Sequence, residues 1–275
     1  MMRNTVFSLH LKMKKLNIKL FCLSILFCSI SLKVTLGQTQ KPLPCLQKKF
    51  NVIAHIVLDD KGERNVELSD IQAGIDEMNS YFSEICISFK ICEYRNIENY
   101  QYDDMVFRTD GPEMNVIYHE EFRINMYFVT SLPGISGGAG LATLCGIAKQ
   151  TNNNIWIVKS DNMGGTMAHE MGHFFGLQHT FLTIGGDELV DGSNCAVSGD
   201  SLCDTPADPY ERTNGSFLVN KLCEFTNLLK LKDANGEFYD PDTRNIMSYY
   251  PCPCRFSYQQ YEKMVETYRR YTKMW

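Results

Sequence analysis

The chemistry of this chain is concentrated in residues 168–180, which read Ala-His-Glu-Met-Gly-His-Phe-Phe-Gly-Leu-Gln-His-Thr. His169 and His173 are four apart, so on a helix they project from one face and can bind one ion together. Glu170 sits beside that face, where it can take a proton from a water on the metal. Gly176 follows the second histidine by three residues, and glycine there lets the chain adopt a positive φ and leave the helix sharply. The turn then brings in His179 as a third ligand. Three neutral imidazoles with one position left open form the donor set of a catalytic zinc site, whereas a structural site would be closed by a fourth protein ligand. Water in such a site becomes acidic enough to attack a peptide carbonyl near neutral pH.

The competing explanation is a pair of packing histidines among apolar Met167, Met171, Phe174, Phe175 and Leu177. The short His-Glu-x-x-His core arises by chance on buried helices, but Gly176 and His179 at the required spacing make the signal specific. Of the remaining histidines, His10 lies in the leading segment, His55 reads as a core or edge residue of a strand, and His119 beside Glu120 and Glu121 reads as part of a solvated charged patch.

The motif needs elements to hold it. Residues 50–58 are dense in β-branched and aromatic side chains and end at Asp59, Asp60 and Gly62, a strand closed by a turn. Ser69 and Gln72 then read as a capping box, opening a helix that buries Ile71, Ile75, Met78, Phe82 and Ile85. Residues 85–92 alternate as a strand. If it is regular, Cys86 and Cys92 stand about 20 Å apart and each must pair elsewhere. Two more strands are expected at 123–132 and 154–160, separated by a stretch containing Gly134, Gly137, Gly138 and Gly140. This order gives a mixed α/β lobe ending in the motif helix. After His179, turns, acids and cysteines dominate to residue 256, so that lobe must rely on disulfides and bound ions. A last helix opens at Ser257, which forms a capping box with Gln260, and presents Tyr261, Met264, Val265 and Tyr268 on one face.

At 275 residues the chain can bury one good-sized core or two lobes sharing a cleft. Its first 37 residues hold six basic side chains, no acid, and an apolar run from Leu20 to Leu32, the pattern of a signal peptide cleaved near Gly37. That run is too short to span a bilayer, so no permanent membrane anchor is expected. The expected organisation is a signal peptide at 1–37, a short segment at 38–49 and a catalytic domain at 50–275, with an upper lobe at 50–179 and a lower lobe at 180–275. Without the leader, 21 basic residues face 32 acids, which argues against nucleic acid as a partner. Nine cysteines remain, and in an oxidising compartment disulfides are the default, with one thiol left over. Spacing suggests Cys195 with Cys223, and Cys203 with Cys252 or Cys254. For Cys45 a disulfide to the body of the domain is favoured over a free thiolate capping the zinc.

The extended motif is that of the metzincins, whose second hallmark is a methionine turn under the zinc; Asn245-Ile246-Met247-Ser248-Tyr249 resembles that turn. Within them the chain is similar to the pappalysin family, including its bacterial members. The matching residues are Thr180 and Phe181 after the third ligand, Gly185-Gly186, Gly199-Asp200 leading to Asp204-Thr205-Pro206, and Phe256, Gln260 and Met264 near the end. The resemblance implies an α/β (α+β) metzincin-like zincin, with a mixed twisted sheet, an active-site helix, a cleft and an irregular disulfide-rich C-terminal lobe. It implies Met247 as an apolar floor below the metal and Tyr249 as an oxyanion-stabilising phenol, where the alternative is a plain buried aromatic. It also places Asp200, Asp204 and Thr205 where bacterial relatives bind calcium, and hard oxygen ligands suit that ion. The long pro-segment of the family is not expected here. The stretch Tyr250-Pro251-Cys252-Pro253-Cys254 lacks the aspartate of arginine-preferring relatives, so a broader cleavage preference is expected unless Asp240 or Asp242 folds in.

The leading expectation is therefore a secreted or periplasmic zinc endopeptidase acting on proteins or peptides. A catalytically inactive metzincin-fold binding module is disfavoured because Glu170 and all three histidines are present. A zinc amidase on a non-peptide substrate would use the same metal chemistry. Asn214-Gly215-Ser216 is a glycosylation sequon, relevant only on a eukaryotic secretory route.

Overall fold

The computed structural model describes residues 40–133, 140–142, 154–160, 163–212 and 218–271. The leader at 1–37, Gly134, Gly137, Gly138, Cys145 and the sequon at 214–216 lie outside the described residues. The chain clusters into Met1–Pro42 and Leu43–Trp275, and the elements below belong to the second unit.

Strand β1 is Lys48–Val57, and its alternation sends Val52, Ala54 and Ile56 to one face and Ile53, His55 and Val57 to the other. Helix α1, Leu68–Phe82, buries Ile71, Ile75, Met78 and Phe82 along its predicted stripe. Its start differs from expectation. The N-cap is Glu67, no side chain caps it, and Gln72 instead bonds Asp76 along the helix surface. The helix begins two residues too early for Ser69 to serve as its cap.

Strand β2 is Ile87–Ile97, later and longer than the expected 85–92, because Ser83–Ile85 continues α1 as a 3-10 turn and Cys86 takes a left-handed conformation. A register shift opposite Val52/Ile53 skips Cys92. The chain continues through α2, Asp110–Tyr118, β3, Ile124–Val129, β4, Gly140–Ala142, β5, Asn154–Val158, α3, Gly164–Phe174, and α4, Tyr258–Arg270.

The sheet order is β2-β1-β3-β5-β4. The first four strands are parallel, and β4 runs antiparallel to β5 with Leu141 opposite Trp156. Both faces are covered, as a parallel sheet requires. On one side α1 and α3 pack with Val52, Ile56, Phe89, Met126, Phe128 and Ile157. There Phe82 meets Phe89, Phe175 and Phe256 with ring centroids 5.2–5.9 Å apart, which ties the far end of α3 to the segment before α4. On the other side Val57, Ile97, Tyr127, Val129 and Trp156 form a second core under Tyr102, Met105 and Met114. His55 is a core residue there, bonding Asn125 at 3.0 Å. His119 is not in a solvated patch: its Nδ1 is 3.0 Å from Asn154 and 3.1 Å from Asn125, in a polar network that closes that edge of the core.

From residue 180 to Ser257 the described chain has only the 3-10 turn Tyr210–Arg212 and isolated bridges such as Asn245 with Arg255. Among the described residues three disulfides are present, Cys45–Cys86, Cys195–Cys203 and Cys223–Cys252. The last two correct the pairings expected from spacing. Cys195 takes the cysteine eight residues away because Asn194 and Ser198 fold the intervening chain back as a turn. Cys223 takes Cys252, leaving Cys254 free, and Cys92 is free as well, so more than one thiol is spare. Cys45 is bonded, which removes it as a zinc cap. Among the described residues no helix is long and apolar enough to cross a membrane.

Cys45–Cys86 ties the start of the domain to the end of α1 across a separation of 41 residues. In the chain-entropy model closing such a loop contributes ~4 kcal/mol. The double variant Cys45→Ala/Cys86→Ala should therefore lose about 3–4 kcal/mol in a denaturant titration. A loss below ~1 kcal/mol would show that the crosslink leaves the folding equilibrium almost untouched.

Candidate metal centre

Helix α3 carries His169, Glu170 and His173 on its buried side, under the sheet. Its C-terminal exit is set by Gly176, which has φ +87°, and by hydrogen bonds from Gly176 N to His173 O and Leu177 N to Gly172 O. The chain reverses there and places His179 against the two helical histidines. His169 Nε2 lies 3.2 Å and His173 Nε2 2.9 Å from His179 Nε2. Among the described residues this is the group of three whose ligand atoms could hold one metal ion.

The tautomers follow from the other ring nitrogens. His169 Nδ1 is 2.6 Å from Ile246 O and His173 Nδ1 is 2.8 Å from Leu177 O. A carbonyl only accepts, so both Nδ1 atoms carry the proton, and each neutral ring offers a bare Nε2 toward His179. Burial holds the imidazoles neutral. His169 is lowered to about 3 by burial and by the neighbouring His173, and His179 to about 2 by burial and both other rings. His173 is also lowered by burial, against its bond to Leu177. Lone pairs this close, desolvated and without a shared proton for each pair, are what a cation with nitrogen ligands at ~2.0–2.1 Å relieves. The residues present therefore fit zinc.

Glu170 is 5% exposed. Its side chain lies under β4, so close that a Cβ on Gly140 would stand 2.7 Å from Glu170 Cγ. Tyr249 faces the same space. Its ring centroid is 4.7 Å from His179 and 5.5 Å from His169, and burial, then the charge of Glu170, pushes its phenol up to about 12. At 39% exposure the ring is accessible to a ligand, unlike the plain buried aromatic of the alternative account.

Met247 is fully buried. A Cβ on Gly172 would stand 2.5 Å from its Sδ, so the absence of a side chain at Gly172 admits the thioether to the underside of α3. The turn carrying Met247 is held by α4. Gln260 caps that helix by accepting from Ser257 N, as the sequence box predicts, and its amide pairs reciprocally with Asn245 at 3.0 and 3.1 Å. Asn245 Oδ1 in turn accepts from Met247 N.

The acids expected to hold calcium separate into two places. Asp204 accepts from Ser257 Oγ and Gln259 N, so both its oxygens anchor the start of α4, a role for which the negative charge suits the helix dipole. Asp200 is buried and faces Thr205 Oγ1 at 2.8 and 3.0 Å. That hydroxyl is also 2.7 Å from Leu202 O, so one proton meets three oxygens. Asp200 is pushed up to about 7, chiefly by burial. Sequence reasoning missed Glu188, which is 7% exposed, has a buried Oε2 without a hydrogen-bond partner, and is pushed up to about 8 by burial and then by Asp200 and Asp208. No local pattern marks Glu188, because only the fold of the loop brings it to Asp200.

Comparison with known proteins agrees with this geometry. Residues 139–269 match the peptidase family model described as pregnancy-associated plasma protein-A, and residues 68–180 match the reprolysin-like M12B metallopeptidases. An extracellular metalloprotease of Colletotrichum graminicola is 28% identical over 170 residues, covering 56% of this chain and 55% of that protein. One of Pyricularia oryzae is 37% identical over 138 residues, covering 46% and 47%. The chain thus spans about half the length of the curated relatives it matches. Two structures of mirolysin, one of them Tannerella forsythia mature mirolysin with a cleaved peptide, align with TM-scores of 0.56 and 0.52 at 16% identity, covering 82% of this chain and 93% of theirs. The fold is therefore a metzincin-like zincin.

The fit of Met247 under Gly172 is testable through stability. Gly172→Ala places a methyl where the Met247 thioether sits, in a fully buried space. It should cost about 1–3 kcal/mol, read from chemical denaturation with zinc saturating. Pairing it with Met247→Ala, which empties the space, should reduce the cost of the alanine. Equal cost in both backgrounds would show that the two side chains do not compete for it.

Proposed function

We propose that this chain is a secreted zinc-dependent endopeptidase of the pappalysin-like metzincin type, with His169, His173 and His179 as metal ligands, Glu170 as general base, Tyr249 as oxyanion stabiliser and Met247 as the floor of the site. The observation that carries the proposal is the meeting of three imidazole Nε2 atoms, two of them bare, beside Glu170 and Tyr249. Zinc, when bound, would supply Lewis acidity that makes a water nucleophilic near neutral pH and polarises the scissile carbonyl. Glu170 accepts the proton of the attacking water and returns it to the leaving amine. The Tyr249 hydroxyl, protonated at every working pH, donates to the carbonyl oxygen as charge develops there. The Nδ1–H bonds to Ile246 O and Leu177 O keep His169 and His173 in the ligating tautomer. Strand β4, at the edge of the sheet among the described residues, gives an extended peptide a backbone to pair with above Glu170. A basic, apolar leader and the extracellular relatives support export, and the disulfides suit an oxidising compartment.

Substrate preference follows from the chain after the methionine turn. Cys252 is tied to Cys223, and Asp242, one of the acids able to fold in, is held by Arg255 at 2.9 and 3.0 Å. A guanidinium entering that wall would meet no spare carboxylate from Asp242, and unpaired burial of such a charge is costly. The preference is accordingly broader than arginine. Digestion of a peptide library tests both points. Peptide bonds should be cut without a preference above about 100-fold, equivalent to ~2.7 kcal/mol, for arginine after the scissile bond. Cutting should stop with a chelator, and in Glu170→Gln with zinc still bound. Absence of any cleavage would indicate the inactive binding module, and cleavage of non-peptide amides alone the amidase. Near-normal activity in Glu170→Gln would contradict the mechanism.

We further propose that a calcium ion sits between Glu188 and Asp200, with Thr205 beside it and Asp204 excluded. Hard oxygen donors and the excess of acceptors over protons suit that ion. In the absence of a cation, the folded carboxyls hold protons up to about 8 and 7, whereas the unfolded ones release them at their ordinary, lower values. The folded state binds more protons across that window, so its stability falls as pH rises through it. Calcium replaces those protons. With zinc saturating, the rise in Tm caused by calcium should be larger at pH 8 than at pH 5.5, and Glu188→Gln should abolish most of it. A calcium effect independent of pH would contradict the assignment.

A further inference from the structure

One carboxylate outside the metal-binding motif holds together the pieces that the proposed reaction needs. Asp208 Oδ2 accepts from Thr180 Oγ1 at 2.6 Å and from Ser248 Oγ at 2.8 Å. Asp208 Oδ1 accepts from Tyr250 OH at 2.9 Å and from Tyr210 N at 3.0 Å. All four lone-pair positions are used, and among the described residues no lysine or arginine pairs with it. An anion surrounded by four neutral donors is a fixed anchor, because any donor that moves leaves charge unsatisfied in a poorly solvated place.

The donors are not scattered. Thr180 directly follows His179. Ser248 and Tyr250 flank Tyr249 on either side. Thr180 N also donates to Met247 O at 3.2 Å, so the segment after the third histidine and the methionine turn are joined twice, once through backbone and once through Asp208. Tyr210, whose amide completes the set, stacks edge-on to Tyr249 at 5.6 Å and to Tyr250 at 5.2 Å. Tyr249 itself makes ring contacts with His179, Phe181 and Tyr210, which limit its ring but leave its place along the chain to the two residues beside it.

We propose that Asp208 is a positioning residue for Tyr249: by gripping Ser248 and Tyr250 and fastening both to Thr180, it holds the phenol at the distance from His179 at which it can meet a substrate carbonyl. The proposal rests on the assignment of Tyr249 to the oxyanion. The four hydrogen bonds of Asp208 go to none of the three histidines and not to Tyr249, so it acts through its neighbours.

Asp208→Asn is the informative variant. Its oxygen can keep the Tyr210 amide while its NH2 faces hydroxyls of Thr180 and Ser248, which can rotate to accept, so the fold survives while the anionic grip is lost. Two measurements on the zinc-loaded enzyme are made together. In a double-mutant cycle, Asp208→Asn should lower kcat about tenfold or more with little change in KM, and should cost almost nothing further in a Tyr249→Phe background. Separately, 3-fluorotyrosine at position 249 should give one narrow 19F resonance in the parent and a shifted or broadened one in Asp208→Asn. An unchanged resonance overturns the proposal, as does a kcat loss equal in both backgrounds, which would make Asp208 a support of the whole lobe. If Tyr249→Phe alone leaves kcat intact, the oxyanion assignment fails, and the 19F resonance still decides whether Asp208 positions the ring.

Discussion

Three neutral imidazoles bringing their Nε2 atoms to one point, poorly solvated and with too few protons to bridge every pair, are unfavourable until something positive stands between them. Everything around the site answers that constraint. The helix supplies two of the rings at the correct spacing, but a helix alone would leave them free to turn away. The carbonyls of Ile246 and Leu177 take the Nδ1 protons, which restrains both rings and leaves the opposite nitrogen bare toward His179. Gly176 allows the reversal that adds the third ring. Each contribution makes the apo arrangement less comfortable and the metal-loaded one better, which is how a site is organised in advance for its ion.

The chain before and after His179 contributes unequally. The sheet, α1 and the aromatic cluster around Phe82 give α3 a rigid bed. The chain from residue 180 to Ser257 has almost no regular structure, yet it carries Met247 beneath Gly172, the phenol of Tyr249 and the Ile246 carbonyl that orients His169. It compensates with polar contacts that are fully used: the Asn245–Gln260 amide pair, Asp204 at the start of α4 and Asp208 with its four donors. Buried polar networks of this kind fix one arrangement because a partly formed version is worse than none. Disulfides Cys195–Cys203 and Cys223–Cys252 close the loops between these contacts.

What the sequence disclosed follows from whether the information is local. The spacing of His169, His173, Gly176 and His179 is read along one helix and one turn, and the capping pair Ser257 and Gln260 is read three residues apart; both are found where expected in the structure. Ser69 and Gln72 have the same pattern as that second pair but do not cap, because Glu67 already begins α1 in the context of the preceding turn. Strand β1 was legible through its density of β-branched and aromatic residues and β2 through alternation, although β2 skips Cys92 at a bulge that no periodicity marks. Between residues 180 and 257 there is no period to follow. Disulfide partners, the departure of Asp204 to the last helix, and the approach of Glu188 to Asp200 all depend on how long loops close, so spacing along the chain gave wrong or no partners there.

The central claim is that three imidazole nitrogens, and no sulfur, hold the metal at this point. Zinc K-edge X-ray absorption of the purified protein loaded with one equivalent of zinc tests it most directly. Nitrogen or oxygen scatterers only are expected, at ~2.0–2.1 Å, with the outer-shell pattern of about three imidazoles. A sulfur shell at ~2.3 Å, or a first shell without imidazole scattering, would contradict it.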